Sequence, residues 1–295
     1  MPEIRLMVSR HSAFYSPLIA TIAGGFLEKE GLSGTYAVVP KGSGTPAEVA
    51  AGRVDVGQAA VASSWAPLDR GEEPPVAHFA QINRCDGFFV ASREADSSFT
   101  WDKLRGRRFM YVHGGQPEIM LRYGLHRMGV DLNDVPDISK PTTPEMMEAF
   151  RNGEGDYFHE QGAYPQQLAH EGVAHVAASV GEAVGPVAFS SLVARRDWLS
   201  TDDARRFTAA YTAARRWVHT ADPEEVARAE ADFFPDMALQ AVTEAIRAYQ
   251  RLNAWSGEIP VEPALYEAAL DAYEHGGRSG PRHPYERVVV PPPAI

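Results

Sequence analysis

Apolar runs of strand length alternate with amphipathic stretches of helix length along the first ninety residues of the chain. The runs predict strands at residues 4–9, 35–40, 54–60, 76–82 and 87–92. The amphipathic stretches predict helices at residues 17–31, 46–53 and 63–70, and the first of these ends at Gly31. Strands that alternate with helices in this way indicate βαβ units, so we expect a mainly parallel sheet.

A second run of the same kind follows. The pattern predicts strands at residues 108–113, 137–139, 156–160, 173–180 and 187–194, and helices at residues 101–106, 117–129, 144–152 and 164–172. Beyond this run the pattern is almost wholly helical. Residues 200–203, Ser-Thr-Asp-Asp, have the composition of a helix N-cap and predict the start of a long helix that extends to His219. Pro223 and Pro235 each lie near a predicted helix start, and the last twenty residues, rich in Gly, Pro and Arg, are expected to form an irregular strap.

Two α/β runs followed by helices predict an α/β protein of two lobes. We expect residues 1–90 and 190–295 to form lobe one and residues 91–189 to form lobe two, with crossing strands near residues 88–93 and 189–195. The C-terminal helices should then pack back onto lobe one. A cleft between such lobes, at the carboxyl ends of strands, is where open α/β sheets bind their ligands.

Composition and charge exclude several classes of protein. The apolar fraction of 44% and the charged fraction of 23% are those of an ordinary globular chain. Lys and Arg total 28 against 39 Asp and Glu, a formal charge of −11, which argues against a nucleic-acid partner. No apolar run reaches the roughly 18 residues that a membrane span needs.

The single cysteine, Cys85, excludes an intrachain disulfide and a cysteine-based metal cluster. A solitary cysteine is more often a small buried apolar residue than a nucleophile, and we expect the former. The chain as written starts directly in a strand-like segment without the pattern of an export signal. We therefore expect a cytoplasmic location, or a periplasmic or extracellular one if a leader has been removed.

Four pairs of segments carry a resemblance to a known family. They are residues 11–15 with 23–32, 42–44 with 51–57, 104–108 with 114–116, and 150–157 with Glu160 and Pro165. In order and spacing they resemble the sulfonate, nitrate and thiamine-pyrimidine branch of the type II periplasmic solute-binding proteins. The resemblance covers about two thirds of the chain and implies the type II fold, with an interlobe ligand cleft and two crossover strands.

The sequence departs from two enzymatic relatives of that fold. Desulfinases have a cysteine in the first loop, where this chain has His11 and Ser12, and fungal-type thiamine-pyrimidine synthases have a cysteine-rich iron-binding stretch that Cys85 alone cannot supply. The resemblance therefore disfavours both chemistries.

Candidate ligand-binding residues lie where predicted strands end. Aromatic faces there can stack on a planar ligand, hydroxyls can donate to it, and Gly-Pro turns at a helix start present backbone N–H groups to an oxygen. Packed loops, ordinary turn chemistry and a surface salt bridge are the competing interpretations of the same residues. The candidates are His11, Ser12, Phe14, Tyr15, Gly42, Ser43, Gly44, Val61, Ser63, His113, Gly114, Gly115, Gln116, Tyr157, Glu160 and Gln161.

Two functions remain open from the sequence. The first is a solute-binding protein of the ABC-transporter type, which closes on a planar or anionic metabolite such as a pyrimidine-like heterocycle or a sulfonate. The alternative is a cytoplasmic lyase or cofactor-biosynthesis enzyme on the same scaffold, with His11, His113 or Glu160 as acid or base. No cofactor and no metal site are predicted. The expected partner is a small molecule, and a transporter permease only if an export signal was trimmed.

Overall fold

The computed structural model describes all 295 residues. Nine strands follow one another along the chain: β1 (Glu3–Val8), β2 (Ser33–Val38), β3 (Val56–Ala59), β4 (Ala77–Asn83), β5 (Phe88–Ser92), β6 (Phe109–Met110), β7 (Tyr157–Gln161), β8 (His175–Ser179) and β9 (Ser190–Ala194).

Thirteen α-helices lie between and after the strands. In chain order they are α1 (Ser16–Ala23), α2 (Phe26–Lys29), α3 (Thr45–Ala50), α4 (Trp65–Asp69), α5 (Gly115–Arg127), α6 (Thr143–Arg151), α7 (Tyr164–His170), α8 (Val180–Val184), α9 (Asp202–Thr220), α10 (Pro223–Ala229), α11 (Leu239–Arg251), α12 (Pro263–His275) and α13 (Tyr285–Val288). None of them combines the length and the apolar character needed to cross a membrane.

The strands form two separate sheets, and the molecule is two-lobed. The first sheet has the order β2-β1-β3-β9-β4, and the second has the order β6-β7-β5-β8. The chain passes from the first sheet to the second between Asn83 and Phe88, and it returns between Val184 and Ser190. Between the two sheets, the carboxyl ends of β1 and β3 face the carboxyl end of β7, where Arg10 contacts Glu160.

Both sheets are mixed: most strands of each sheet run parallel, as expected, but one strand in each sheet runs in the opposite direction. The strand β1 is parallel to β2 and β3, and β6 is parallel to β7. However, β9 is antiparallel to β3 and β4, and β5 is antiparallel to β7 and β8. Parallel strands need a crossover connection, whereas β5 follows β4 after only residues 84–87 and enters the other sheet directly.

Three local predictions also differ from the structure. The helix expected over residues 17–31 is broken into α1 and α2, because Gly25 adopts a positive φ of 68°. Residues 137–139 form no strand; Asp137 makes a single bridge to Phe109. Pro235 does not begin a helix, since α11 starts at Leu239.

Of the C-terminal helices, α9 packs on α1 and the first sheet, whereas α11 also contacts α7 and α12 also contacts α5. Thr201 caps α9 by accepting a 3.2 Å hydrogen bond from the N–H of Ala204. From α9 the Tyr211 hydroxyl donates to the carbonyl of Gln81 at 2.8 Å. The final segment contains the short helix α13, and the N–H of Val290 donates to the carbonyl of His78 in β4 at 2.9 Å. The strap is therefore anchored to the edge of the first sheet.

Aromatic side chains join the two sheets where the chain passes between them. The ring of Phe14 lies 4.8 Å from that of Tyr249 and 5.4 Å from that of Phe189. The Tyr249 hydroxyl donates to the carbonyl of Gly87 and accepts from the N–H of Gly162, both at 2.8 Å. A single hydrophobic core consequently extends from one lobe into the other around the passages.

Candidate functional site

A cavity of about 460 Å³ lies between the facing ends of the two sheets. Its wall is polar where strands end and aromatic where the chain passes between lobes. The lining residues are Ser9, Arg10, Tyr15, Gly44, Thr45, Pro46, Gln58, Ala59, Ala60, Ala62, Ser63, Phe88, Gln116, Pro117, Gln161, Phe189 and Tyr273. Five of the residues predicted from the sequence are among them: Tyr15, Gly44, Ser63, Gln116 and Gln161.

Arg10 is the one charged side chain in this wall, and the sequence analysis missed it. It follows β1 directly, so its position at the carboxyl end of a strand was the available signal. Its Nη1 donates to Oε1 of Glu160 at 2.5 Å, and its guanidinium carbon lies 5.6 Å from the centre of the Phe88 ring. Arg10 therefore carries a contact from lobe one to lobe two along the cavity.

Glu160 lies behind Arg10 and does not line the cavity. Its side chain is fully buried. Besides Arg10, Oε1 accepts from the N–H of Gln161 at 2.8 Å, and Oε2 accepts from the Thr143 hydroxyl at 2.6 Å. Both oxygens of the predicted ligand acceptor are thus occupied by the protein.

Tyr15 and Gln161 approach the cavity from opposite lobes. Tyr15 belongs to a 3₁₀ helix that Ser12 caps after β1, and it is 2% exposed. Burial raises the pKa of Tyr15, while Ser190, Gln161 and Arg10 oppose this rise. Gln161 ends β7, and its Oε1 is buried without a hydrogen-bond partner. Gln161 is therefore a cavity-lining side chain with one unsatisfied buried acceptor, its Oε1.

Gln58 is a further polar lining residue that sequence reasoning missed. Its Oε1 accepts from the hydroxyl of Ser9 at 2.7 Å and from the N–H of the same residue at 3.0 Å. Its Nε2 donates to the Ser190 hydroxyl at 3.0 Å. These bonds fix the amide between β1 and β9 and make it part of a rigid floor.

The first glycine turn contributes only its last residue to the wall. Gly44 is the N-cap of α3, and the Oγ1 of the adjacent Thr45 is buried without a partner. Gly42 and Ser43 lie outside the cavity, and the Ser43 hydroxyl donates to Glu48. Of this predicted turn, the part that reaches the cavity is the start of α3.

The second glycine turn also lies mostly outside. Gln116 lines the cavity, and its Nε2 donates to the carbonyl of Phe189 at 2.8 Å. Gly114 and Gly115 do not line the cavity, and the N–H of Gly114 donates to Oε2 of Glu118 at 2.8 Å. The N-terminal end of α5 thus already has a carboxylate of its own.

His113 is directed away from the cavity. Its ring stacks on Tyr111 at 4.3 Å, its Nε2 lies 2.9 Å from Asp137, and nearly half of the side chain is exposed. Val61 is a buried core residue next to the cavity-lining Ser63. Neither His113 nor Val61 therefore contacts the cavity.

The first loop packs behind the cavity rather than around it, apart from Tyr15. The His11 ring lies 4.5 Å from Phe234, its Nδ1 is 3.1 Å from the Tyr36 hydroxyl, and burial lowers its pKa. The Ser12 hydroxyl donates to the carbonyl of Gly162 at 2.5 Å, which links the lobes. Phe14 is fully buried in the core.

Tyr157 lies at the opposite end of β7 from Gln161. It contributes to a surface groove with Arg93, Lys103 and Arg107. The prediction that Tyr157 sits at the ligand-facing end of its strand was therefore wrong. Only the carboxyl end of β7 reaches the cleft. Because each strand residue spans about 3.3 Å, the four positions between Tyr157 and Gln161 place Tyr157 at the far edge of the sheet.

The arrangement does not assemble an acid–base site. His11, His113 and Glu160, the three groups on which the enzymatic alternative depends, all lie outside the wall of the cavity. His159 lies close by, stacked on Phe88 at 4.6 Å, but burial lowers its pKa to about 3 and its Nε2 has no partner. No group of three or more His, Cys, Asp or Glu side chains is placed to hold a metal ion. What the geometry offers is a binding cavity.

Comparison with known proteins agrees with this geometry. A sequence model of the family described as NMT1/THI5 like matches residues 13–226. YtlA of Bacillus subtilis strain 168, which is named as a candidate binding protein, is 26% identical over 98% of this chain and 88% of its own.

Solved structures of similar fold include two sulfonate-binding proteins. The alkanesulfonate-binding protein SsuA from Xanthomonas axonopodis pv. citri superposes with a TM-score of 0.69 at 15% identity, over 100% of this chain and 98% of that one. The periplasmic aliphatic sulphonate binding protein SsuA from Escherichia coli gives 0.71 at 15% identity, over 96% and 94%. At this identity the similarity establishes the fold, which is that of the type II periplasmic binding proteins.

Proposed function

This chain belongs to the NMT1/THI5-like family, and we propose that it is a solute-binding protein of the ABC-transporter type. In this proposal its two lobes close around one small planar or anionic metabolite. The proposed lobes are residues 1–90 with 190–295 and residues 91–189. The absence of any strand of residues 91–189 from the first sheet supports this division, while β5 of the second sheet begins slightly before it, at Phe88.

The observation that carries the proposal is a cavity whose wall comes from both lobes. Tyr15, Thr45 and Gln58 belong to the first lobe, and Gln116 and Gln161 belong to the second. A solute that contacts both sets of groups binds the closed arrangement more tightly than an open one, and only such a difference in affinity can drive closure.

The wall suits a molecule with one flat face and a polar edge. Tyr15, Phe88, Phe189 and Tyr273 provide aromatic surface. Hydroxyl and amide groups lie among them, including the unsatisfied Oε1 of Gln161 and Oγ1 of Thr45. Mostly apolar lining with a few convergent polar groups is the usual composition of a small-molecule site.

A permease partner and a location outside the cytoplasm belong to the same proposal. The similar structures include periplasmic binding proteins and a ligand-binding component of an ABC-type import system from Staphylococcus aureus. A protein with this role hands its solute to a membrane transporter, so the solute must be bound reversibly and released unchanged.

The first test is to identify the molecule that co-purifies with the protein. Mass spectrometry under native conditions should detect one small molecule per chain, and denaturation should release it chemically unchanged. Calorimetry with the purified compound should then give one site per chain. A compound that is consumed on incubation with the protein would contradict the proposal and favour the enzymatic alternative.

A further inference from the structure

The electrostatic balance of the cavity bears on the chemical class of its solute, if the proposed function holds. Arg10 is the single charged side chain in the wall, and no acidic side chain and no second cation line it. The positive charge of Arg10 is already opposed by Glu160. The cavity therefore presents an ion pair with no net charge rather than a free cation.

The ion pair is built into the fold. Glu160 is fully buried, and hydrogen bonds from Thr143 in α6 and from the N–H of Gln161 hold both of its oxygens. A buried carboxylate is stable in its charged form only while a cation and hydrogen-bond donors compensate it. Arg10 is that cation, so it cannot turn to another anion without leaving Glu160 uncompensated.

An anionic solute would have to overcome this arrangement. Its charge would be the second negative charge within reach of one guanidinium. The N-terminal end of α5 provides no alternative, because the N–H of Gly114 already donates to the Glu118 carboxylate. The charge of Arg10 is thus balanced by Glu160 and the start of α5 is capped, while Arg10 keeps N–H groups that Glu160 does not use. The start of α3 also reaches the cavity, but this helix is only six residues long.

An uncharged solute that carries an N–H group fits the remaining wall. Gln161 lines the cavity, and its Oε1 is buried without a donor in the protein. A turn of the side-chain amide about its last bond would present this acceptor to a solute. A sulfonate or a carboxylate has only acceptor oxygens and cannot supply that donor, whereas an amide or an N–H heterocycle can. The rings of Tyr15 and Phe88 are available for its flat face.

We infer that the cavity selects a planar solute without net charge, and that Glu160 determines this selectivity by neutralising Arg10. Glu160 acts here as a positioning residue, since it reaches the solute only through Arg10. The removal of its charge should therefore convert the cavity into a site for anions.

The test titrates methanesulfonate, a small monovalent anion, against its uncharged isostere methanesulfonamide at constant ionic strength, with the full chain. We expect no saturable binding of methanesulfonate to the wild-type protein. Glu160→Gln should bind methanesulfonate at least tenfold more tightly than the wild type, and the double substitution of Arg10→Met with Glu160→Gln should abolish this gain. Neither substitution should create comparable binding of methanesulfonamide.

A matched control is Glu171→Gln, which removes the carboxylate partner of Arg151 far from the cavity. It should not gain methanesulfonate binding. If Glu160→Gln does not fold, the wild-type titration decides alone: saturable methanesulfonate binding that Arg10→Met removes would overturn the inference. A Glu160→Gln protein that binds the anion no better than the wild type would overturn it as well.

The identity of the co-purified molecule separates this inference from the proposed function. An uncharged compound whose affinity falls in Gln161→Ala supports both. An anion bound in the same cavity overturns the inference and leaves the proposed function intact. A compound whose affinity is unchanged in Gln161→Ala and Phe88→Ala binds elsewhere, which overturns the proposed function while the methanesulfonate titration still reports on Arg10.

Discussion

The residues near the cleft fall into two groups: those whose side chains face the cavity and those that support its wall. Tyr15 and Gln161 face the cavity from opposite lobes, whereas Phe14 and Ser12, their neighbours in sequence or space, are buried in packing and interlobe hydrogen bonds. Substitutions of Phe14 and Ser12 should reduce stability, whereas substitutions of Tyr15 and Gln161, which are also buried, should reduce affinity as well.

Tyr15→Ala should weaken binding of the co-purified solute by about tenfold or more, because about 1.4 kcal/mol of lost stacking and hydrogen bonding corresponds to a factor of ten. Tyr157→Ala is the matched control, since this tyrosine lies at the other end of β7 and outside the cavity. Calorimetry on both variants measures the effect. A larger loss in Tyr157→Ala would mean that the surface groove, not the cavity, is the binding site.

Asp86 gives a residue-scale prediction about stability and pH. Its carboxyl lies in the first passage between lobes, and burial raises its pKa to about 8, against about 3.9 in an unfolded chain. Between these values the unfolded state releases the proton and the folded state keeps it. The stability that Asp86 contributes is therefore full below about pH 4 and is lost as the pH rises towards 8.

Asp86→Asn has no proton to release in this window. The free energy of unfolding of the variant relative to the wild type should therefore increase from pH 5 to pH 8, by up to a few kcal/mol at about 1.4 kcal/mol per pKa unit. Urea unfolding at four pH values measures the difference, and subtraction of the two curves removes the titration of the other buried groups. A difference that is constant with pH would show that Asp86 is ionised in the folded protein.

At the scale of helices and strands, α8 packs against the passage that contains Asp86. Gly181 in α8 packs directly on the carbonyl oxygen of Asp86, so a β-carbon there would collide with backbone. Gly181→Ala should therefore destabilise the protein by about 1–3 kcal/mol, as overpacking of a close contact does. Gly44→Ala is the control, because Gly44 is extended and the nearest side-chain atom to its added β-carbon is at 4.0 Å. Thermal unfolding distinguishes them, and equal losses would contradict the argument.

The same scale shows what the amino-acid pattern can predict. Most strands and helices were predicted near their observed positions, because apolar period and turn residues are local properties. The direction of β5 and β9 was not predicted. Both strands are antiparallel to their neighbours, and no local pattern encodes strand direction. The resemblance to a known family, rather than periodicity, supplied the type II arrangement.

The candidate site was predicted only in part, because local patterns locate single residues but not contacts between distant segments. Tyr15, Gly44, Ser63, Gln116 and Gln161 were accessible to prediction because they lie near the ends of predicted strands or the starts of predicted helices. The pairing of Arg10 with Glu160 was not, because the two residues are 150 positions apart. Contacts of that kind depend on how the two lobes meet.

On the scale of the whole molecule, α5 of the second lobe meets α12 of the first beside the cavity. The rings of His126 and His275 lie 4.2 Å apart across this junction, and Tyr123 lies 5.6 Å from His275. Charged groups at this place include Arg122 and Arg127 on α5 and Asp131 in the following turn. In the proposed closure of the lobes, these two imidazole rings are therefore brought into contact, tilted by 30° to each other.

Acidic pH should weaken solute binding through this pair. Partial burial, and next the proximity of His126, lower the pKa of His275, while Asp131 opposes the shift. A lowered pKa means that protons bind preferentially to the open arrangement, in which the rings are apart, so affinity should be full at neutral pH and fall below the ordinary histidine pKa of about 6.5. We expect the affinity to be lower at pH 5.5 than at pH 7.5. His275→Gln should remove this dependence, whereas His175→Gln, on the exposed edge strand β8, should retain it. Calorimetry of the co-purified solute at both pH values decides, and a pH dependence that persists in His275→Gln would assign it to the solute or to another group.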